Sequence, residues 1–142
     1  MANLPYYEQK DIENIQKLRT LLKELPPFCT EYFRGIEPRT STRTRIAYAY
    51  DLSVFFDFLK KENPVFSKMD RMDFRLEHLD QLTVTDLEEY MEYLKYRFNE
   101  NNKEVINKER GIMRKISSLK SFYNYFFRVE KIKTNPAALV QL

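Results

Sequence analysis

Residues 41–64, STRTRIAYAYDLSVFFDFLKKENP, predict one long helix. Ser41 or Thr42 brings a side-chain oxygen that can cap the free N–H groups of a first turn. Tyr48, Leu52, Phe55, Phe56 and Leu59 recur at spacings of three and four, so they make one inward face. Asn63-Pro64 ends the run, because the residue before a proline is driven out of the helical region. The same period returns in residues 82–98, LTVTDLEEYMEYLKYRF. There Thr83 and Asp86 have capping-box spacing, Leu87, Met91, Leu94 and Phe98 form an apolar stripe, and the opposite face is acidic. It returns again in residues 108–128, KERGIMRKISSLKSFYNYFFR, where Ile112, Ile116, Leu119, Tyr123 and Phe126 keep the spacing. This last helix is expected to start between Asn102 and Asn107 and to run to about Lys131.

Working back towards the N-terminus, Ile12, Ile15, Leu18, Leu22 and Leu25 predict a helix over Asp11–Leu25, stopped by Pro26-Pro27. A short helix over Phe28–Arg34, ended by Gly35 and Pro38, follows. Val65 to Leu82 is expected to be a loop anchored by Phe66, Phe74, Leu79 and Leu82. Gly111 falls inside the last helix, at a cost of roughly 1 kcal/mol relative to alanine. Either the helix is weak there or something approaches its backbone closely. The expected layout is an N-terminal helical appendage over 1–37, a main body over 38–136, and the start of a linker over 137–142.

Composition agrees with a helical body. The chain has 142 residues, 43% of them hydrophobic and 15% aromatic, enough for one domain with a core. Glycine occurs only twice and no Asn-Gly or Asp-Gly pair is present, whereas a multi-hairpin β fold needs more such turns. A single cysteine, Cys29, excludes an internal disulfide framework and a cysteine-rich zinc site. No apolar run approaches a membrane span, and no signal-peptide core is visible, so a soluble, cytoplasmic protein is expected.

Few residues suit hydrolytic or metal chemistry. The one histidine, His78, stands in an acidic stretch without Cys or His partners, so it is expected to be structural and no metal site is expected. Phosphate-binding loops, dinucleotide-binding glycines and a nucleophile elbow are all missing. The ten tyrosines lack a converging set of cations with an acid or base. No catalytic residue is assigned, and the chain is expected not to be an enzyme by itself.

Charge is more informative in its distribution than in its total of +3. Residues 62–102 carry five cations and ten carboxylates, whereas residues 103–142 carry nine and three. On the last helix, opposite the apolar stripe, lie Arg110, Arg114, Ser117, Ser118, Ser121 and Asn124, flanked by Lys115 and Lys120. Long cations spaced by small hydroxyls suit a helix laid against a phosphate backbone, with Arg and Lys neutralising charge and Ser bonding at close range. Arg39, Arg43, Thr44 and Arg45, near the start of the long helix that Asn63-Pro64 ends, make a second natural anion site. A merely solvated face and a protein-partner surface remain open on these residues alone. The aromatics Phe122, Tyr123, Tyr125, Phe126 and Phe127 are expected to be core, with Tyr125 and Phe127 free to meet a neighbouring element.

These residues resemble a family. Ser41, Thr44, Ala47-Tyr48, Asp51-Leu52, Phe55 and Phe58-Leu59 are similar to the signature of the core-binding domain of tyrosine recombinases of the phage-integrase, Xer-type family. Arg114, Ile116-Ser117-Ser118-Leu119-Lys120, Phe122-Tyr123 and Asn135-Pro136-Ala137 resemble the final helix and exit of that domain. The likeness covers about residues 38–140. It implies an all-α, compact four-helix SAM-like core-binding bundle, here with an additional N-terminal helical segment, forming half of a clamp on double-stranded DNA. It also implies DNA contacts at Arg43, Thr44, Arg114, Ser117, Ser118, Lys120 and Ser121, to which the charge pattern adds Arg45 and Arg110 as expected contacts. Ala49-Tyr50 stand where the family often has basic residues, which moves weight onto Arg43, Arg45 and the last helix. The family's catalytic residues lie on a further domain, which would follow Leu142. The implied partners are double-stranded DNA, that catalytic domain and other recombinase protomers. The implied parent reaction, DNA integration and recombination, uses no metal or nucleotide cofactor. A helical protein-interaction module without DNA binding is the alternative expectation.

Overall fold

The computed structural model describes residues 4–141. Residues 1–3 of the expected appendage and Leu142 of the expected linker lie outside the described residues. Six helices carry the fold: α1 (Tyr6–Leu22), α2 (Cys29–Ile36), α3 (Thr42–Glu62), the single turn α4 (Leu76–Leu79), α5 (Val84–Lys95) and α6 (Glu109–Arg128). Between α5 and α6, Arg97–Phe98 (β1) and Glu104–Val105 (β2) pair antiparallel, with Arg97 opposite Val105 and Phe98 opposite Glu104. The result is a helical bundle with one small hairpin.

Local chemistry accounts for the ends of the main helices. Ser41 caps α3 by accepting a hydrogen bond from Thr44 N at 3.1 Å, and the helix stops at Asn63-Pro64 as expected. Thr83 and Asp86 form the expected capping box on α5, with Thr83 N donating to Asp86 Oδ2 at 2.8 Å. That helix ends at Lys95, earlier than expected, and Phe98 leaves the stripe for the hairpin, where it is 45% exposed. Tyr90 takes the buried position instead, and Met91 is only partly covered. In α6 all five expected stripe residues are buried, together with Phe122. Asn107 is what approaches Gly111: a Cβ there would meet its Nδ2 at 3.1 Å.

Two expectations about the N-terminal residues change. α1 begins one turn earlier than expected, at Tyr6, and of its stripe only Leu18 is fully buried, with Leu25 buried just beyond its end. α2 continues through Gly35, which does not end it, because the Tyr125 ring of α6 lies against that glycine. α2 buries Cys29, Tyr32, Phe33 and Ile36 in the same core as α3, α5 and α6. Edge-to-face rings bind it there, with Tyr32 and Phe122 centroids 5.2 Å apart.

The expected loop over 65–82 is anchored by Phe66, Phe74, Leu79 and Leu82, all buried, and also contains α4 and a 3₁₀ turn over Arg71–Asp73. Residues expected to open a linker are packed. Pro136–Leu139 form a 3₁₀ turn between α5 and α6, and Pro136, Ala137 and Val140 are buried. The Asp80 carboxylate holds the approach to that turn, accepting from Lys133 N at 2.9 Å and Thr134 N at 2.8 Å.

Candidate nucleic-acid interface

α3 and α6 cross with their contacts running in opposite directions. Asp51 meets Arg114 and Ser118, while Thr40 and Tyr48, around the start of α3, line a cleft with Ser121, Asn124 and Arg128. The outward edges of the two helices therefore form one surface, and its polar residues divide into free and committed groups.

At the centre is Asp51, on α3 and 3% exposed. Its Oδ2 accepts from Arg114 Nη1 at 2.7 Å and from Ser118 Oγ at 2.6 Å, and its Oδ1 from Lys115 Nζ at 3.2 Å. A carboxylate this deep is tolerable only when paired and fully bonded, and here the two helices supply the cations and the hydroxyl. Lys115 and Ser118 are buried by this task, whereas the Arg114 side chain is still 53% exposed.

The nine residues expected to touch DNA have unequal freedom. Arg43, Arg110, Arg114 and Ser117 are exposed, and Thr44 is half-buried beside its capping partner Ser41. Arg45 is 8% exposed and ties the entry to α3 together, donating to Thr40 O at 2.6 Å, Glu37 O at 3.1 Å and Thr42 Oγ1 at 3.1 Å. Ser118 belongs to Asp51. Lys120 Nζ donates to Val140 O at 2.8 Å, holding the C-terminal turn. The Ser121 hydroxyl lies 2.8 Å from the Tyr32 hydroxyl and shares a hydrogen bond with it. Burial pushes the Tyr32 phenol up to about 12, against the opposing effect of that bond.

Other side chains on this surface lay outside the nine. Arg39, Asn124 and Arg128 are exposed around the cleft, and the Arg128 guanidinium lies over the Tyr125 ring at 5.8 Å. Arg128 stands fourteen residues after Arg114, about four helical turns, so its place on this face follows from helix period. Arg39, in the turn before α3, and Arg43, Arg110, Arg114 and Arg128 on the two helices are exposed; Arg39 and Arg128 line one cleft, and Arg114 lines another beside Asp51.

Elsewhere the chemistry is structural. His78 Nδ1 accepts from Arg75 N at 2.9 Å at the head of α4, and its ring meets Phe66 edge-on. Burial raises the Cys29 thiol well above its ordinary value, keeping it protonated. Among the described residues, no helix is long and apolar enough to cross a membrane.

Known proteins match the sequence over most of its length. It is 38% identical over 118 residues to the tyrosine recombinase XerC of Caldanaerobacter subterraneus subsp. tengcongensis, covering 78% of this chain and 32% of that protein. It is 39% identical over 107 residues to the tyrosine recombinase XerC of Lacticaseibacillus casei, covering 75% and 30%. It is 28% identical over 125 residues to the tyrosine recombinase XerS of Lactococcus lactis subsp. cremoris, covering 80% and 32%. The chain thus spans about a third of the length of the curated relatives it matches. No family model matches the chain, and no solved structure matches it.

Proposed function

The chain belongs, over the segment that its relatives share, to the tyrosine recombinase family, and from that premise we propose that it is the non-catalytic, DNA-gripping part of a site-specific recombinase. The unit that grips is the body over 38–136, and its ligand is duplex DNA. The observation that supports this reading is the joint surface of α3 and α6, where Arg39, Arg43, Arg110, Arg114 and Arg128 stand exposed among Thr44, Ser117 and Asn124. Guanidinium groups pair with phosphate oxygens in fork geometry, and short hydroxyl and amide side chains let the helix lie close to the backbone. Arg45, Ser118, Lys120 and Ser121 serve this surface indirectly, by fixing the helices that carry it. Strand cleavage and rejoining are assigned to a catalytic domain of the whole recombinase, which acts in the cytoplasm with other protomers on the same DNA.

Fluorescence anisotropy with a labelled duplex, titrated across salt, tests the reading. If all five arginines neutralise phosphates, log affinity falls against log salt with a slope of about −4 to −5. Arg114→Glu combined with Arg128→Glu abolishes binding while helicity is retained. A chain that binds no duplex even at low salt, or a double variant that binds as tightly as the parent, overturns it.

A protein-partner surface is the second reading. It is favoured by a cleft on α5 and α6, floored by Met91, Ile112 and Leu139 and rimmed by Glu88, Glu92 and Glu109. Under that reading the arginine variants leave function unchanged and substitutions in the cleft abolish it.

A further inference from the structure

We propose that Asp51 is a positioning residue for DNA binding, holding one edge of the Arg114 guanidinium so that its other edge is presented to a phosphate. The inference rests on the DNA-binding reading above and adds to it how one contact is prepared.

Charge and geometry converge on this role. The Asp51 carboxylate is matched by the buried Lys115 ammonium at 3.2 Å and further bonded by Ser118 at 2.6 Å. Its charge is therefore already balanced before Arg114 is counted, and the three ionised groups together keep one positive charge. That charge sits on the one member of the set that reaches solvent, since Arg114 is half-exposed while Lys115 and Asp51 are buried. An arginine has five N–H donors in a rigid plane, and Asp51 takes Nη1. A long side chain on an open helix face ordinarily loses rotamer freedom when it binds, and a residue already held at one edge loses less. Arg110, one turn earlier on α6 and exposed, makes no side-chain hydrogen bond or ion pair among the described residues, so it is the internal comparison. A lysine at 114 would keep the charge, but its single ammonium cannot span a carboxylate below and a phosphate above.

The test uses the full chain, one labelled duplex, and Arg114→Lys, Arg114→Gln, Asp51→Asn and the Asp51→Asn/Arg114→Gln double variant. Arg114→Gln is expected to reduce the salt slope by about 1. Arg114→Lys is expected to keep the slope and bind about 2- to 10-fold more weakly at every salt concentration, the range set by ordering one long side chain. Asp51→Asn should do the same, and should have no further effect once Arg114 is already Gln. Side-chain ¹⁵N relaxation gives a readout without DNA: the Arg114 Nε–H should be more ordered than that of Arg110, and the contrast should vanish in Asp51→Asn. If Asp51→Asn fails to fold because Lys115 loses its partner, Arg114→Lys and the relaxation contrast decide. A chain that binds duplex while Arg114→Lys binds as tightly as the parent overturns the positioning role alone, as does an Arg114 side chain as mobile as Arg110. A parent chain that binds no duplex overturns the DNA-binding reading itself.

Discussion

Gly35 lies within α2 under the edge of the Tyr125 ring, where an added Cβ would overlap the ring carbons. The ring cannot simply swing away, because it also packs edge-on against Tyr32 and Phe126. Gly35→Ala is therefore expected to destabilise the fold by about 1–3 kcal/mol despite the better helix propensity of alanine. Removing the ring as well, in Gly35→Ala/Tyr125→Ala, should recover part of that loss. Denaturant unfolding of the four corners of this cycle measures it, and a single variant as stable as the parent would show that the ring yields. The same scale explains where the expected site was and was not legible. Arg43 and Arg45 both stand in the first turn of α3 and are indistinguishable by type, yet one is exposed and the other is bonded to four backbone and hydroxyl oxygens. Ser117 and Ser118 differ in the same way. One residue along a helix is a rotation of about 100°, so a cationic face is visible in the sequence while its edge is not. Asp51 was conspicuous only as part of a motif, because nothing in a linear pattern says that its three donors lie 63 to 67 residues away.

At the scale of elements, what could be recognised in advance was whatever has a local cause. Proline stops, caps and apolar stripes placed α3 and the start of α5 correctly, and the apolar part of α6's buried face, but not Lys115 and Ser118, which are buried beside it. The hairpin over 97–105 was missed because it lacks the usual turn dipeptide. Asn102 adopts the left-handed backbone at φ 57° instead, and the Asn99 side chain accepts from Asn101 N and Lys103 N. The 3₁₀ turn over 136–139 has a local cause, the Asn135 side chain accepting from Ala138 N with Pro136 at its first position, but Asn135-Pro136 reads equally as an end, and only the packing of Pro136 and Ala137 beside α5 and α6 decides between them. Local causes also yield a local prediction. In Thr83→Ala the oxygen that accepts from Asp86 N is lost, while the backbone N of residue 83 can still donate to Asp86, so stability should fall by about 1 kcal/mol. The expected signature is a lower urea midpoint with an unchanged slope, and an unmoved midpoint would mean that Asp86 alone suffices.

Across the whole molecule, three tyrosines stand in the core among the phenylalanines. Tyr32 of α2, Tyr90 of α5 and Tyr123 of α6 are fully buried. Burial raises all three phenols above their ordinary range near 10, Tyr32 to about 12 and the other two further. In the unfolded chain these groups ionise near pH 10 while in the folded protein they keep their protons. The stability they confer is therefore complete below pH 10 and declines as pH rises towards 12, by up to about 1.4 kcal/mol per pH unit for each phenol. Urea midpoints measured at about pH 7, 9 and 11 should be level between the first two and drop at the third, with the last part of the tyrosinate absorbance appearing only as the helices melt. Ionisation of all ten tyrosines while helicity is intact would contradict the burial.

The order of the helices has a consequence for synthesis. α6 supplies eight buried residues, and it meets α2 through a hydrogen bond spanning 89 residues of chain and α3 through bonds spanning 63 to 67. Everything translated before it, α2's aromatic rings and the Asp51 carboxylate included, must wait without its partner. At about 5–20 residues per second, the 72 residues between α2 and α6 take about 4–14 s to be made. During that interval Tyr32 of α2 lacks the Phe122, Tyr125 and Phe126 rings it packs against. The protein is thus most vulnerable to aggregation on the ribosome, and holdase chaperones would find their longest-lived target in the segment from Phe28 to Phe74.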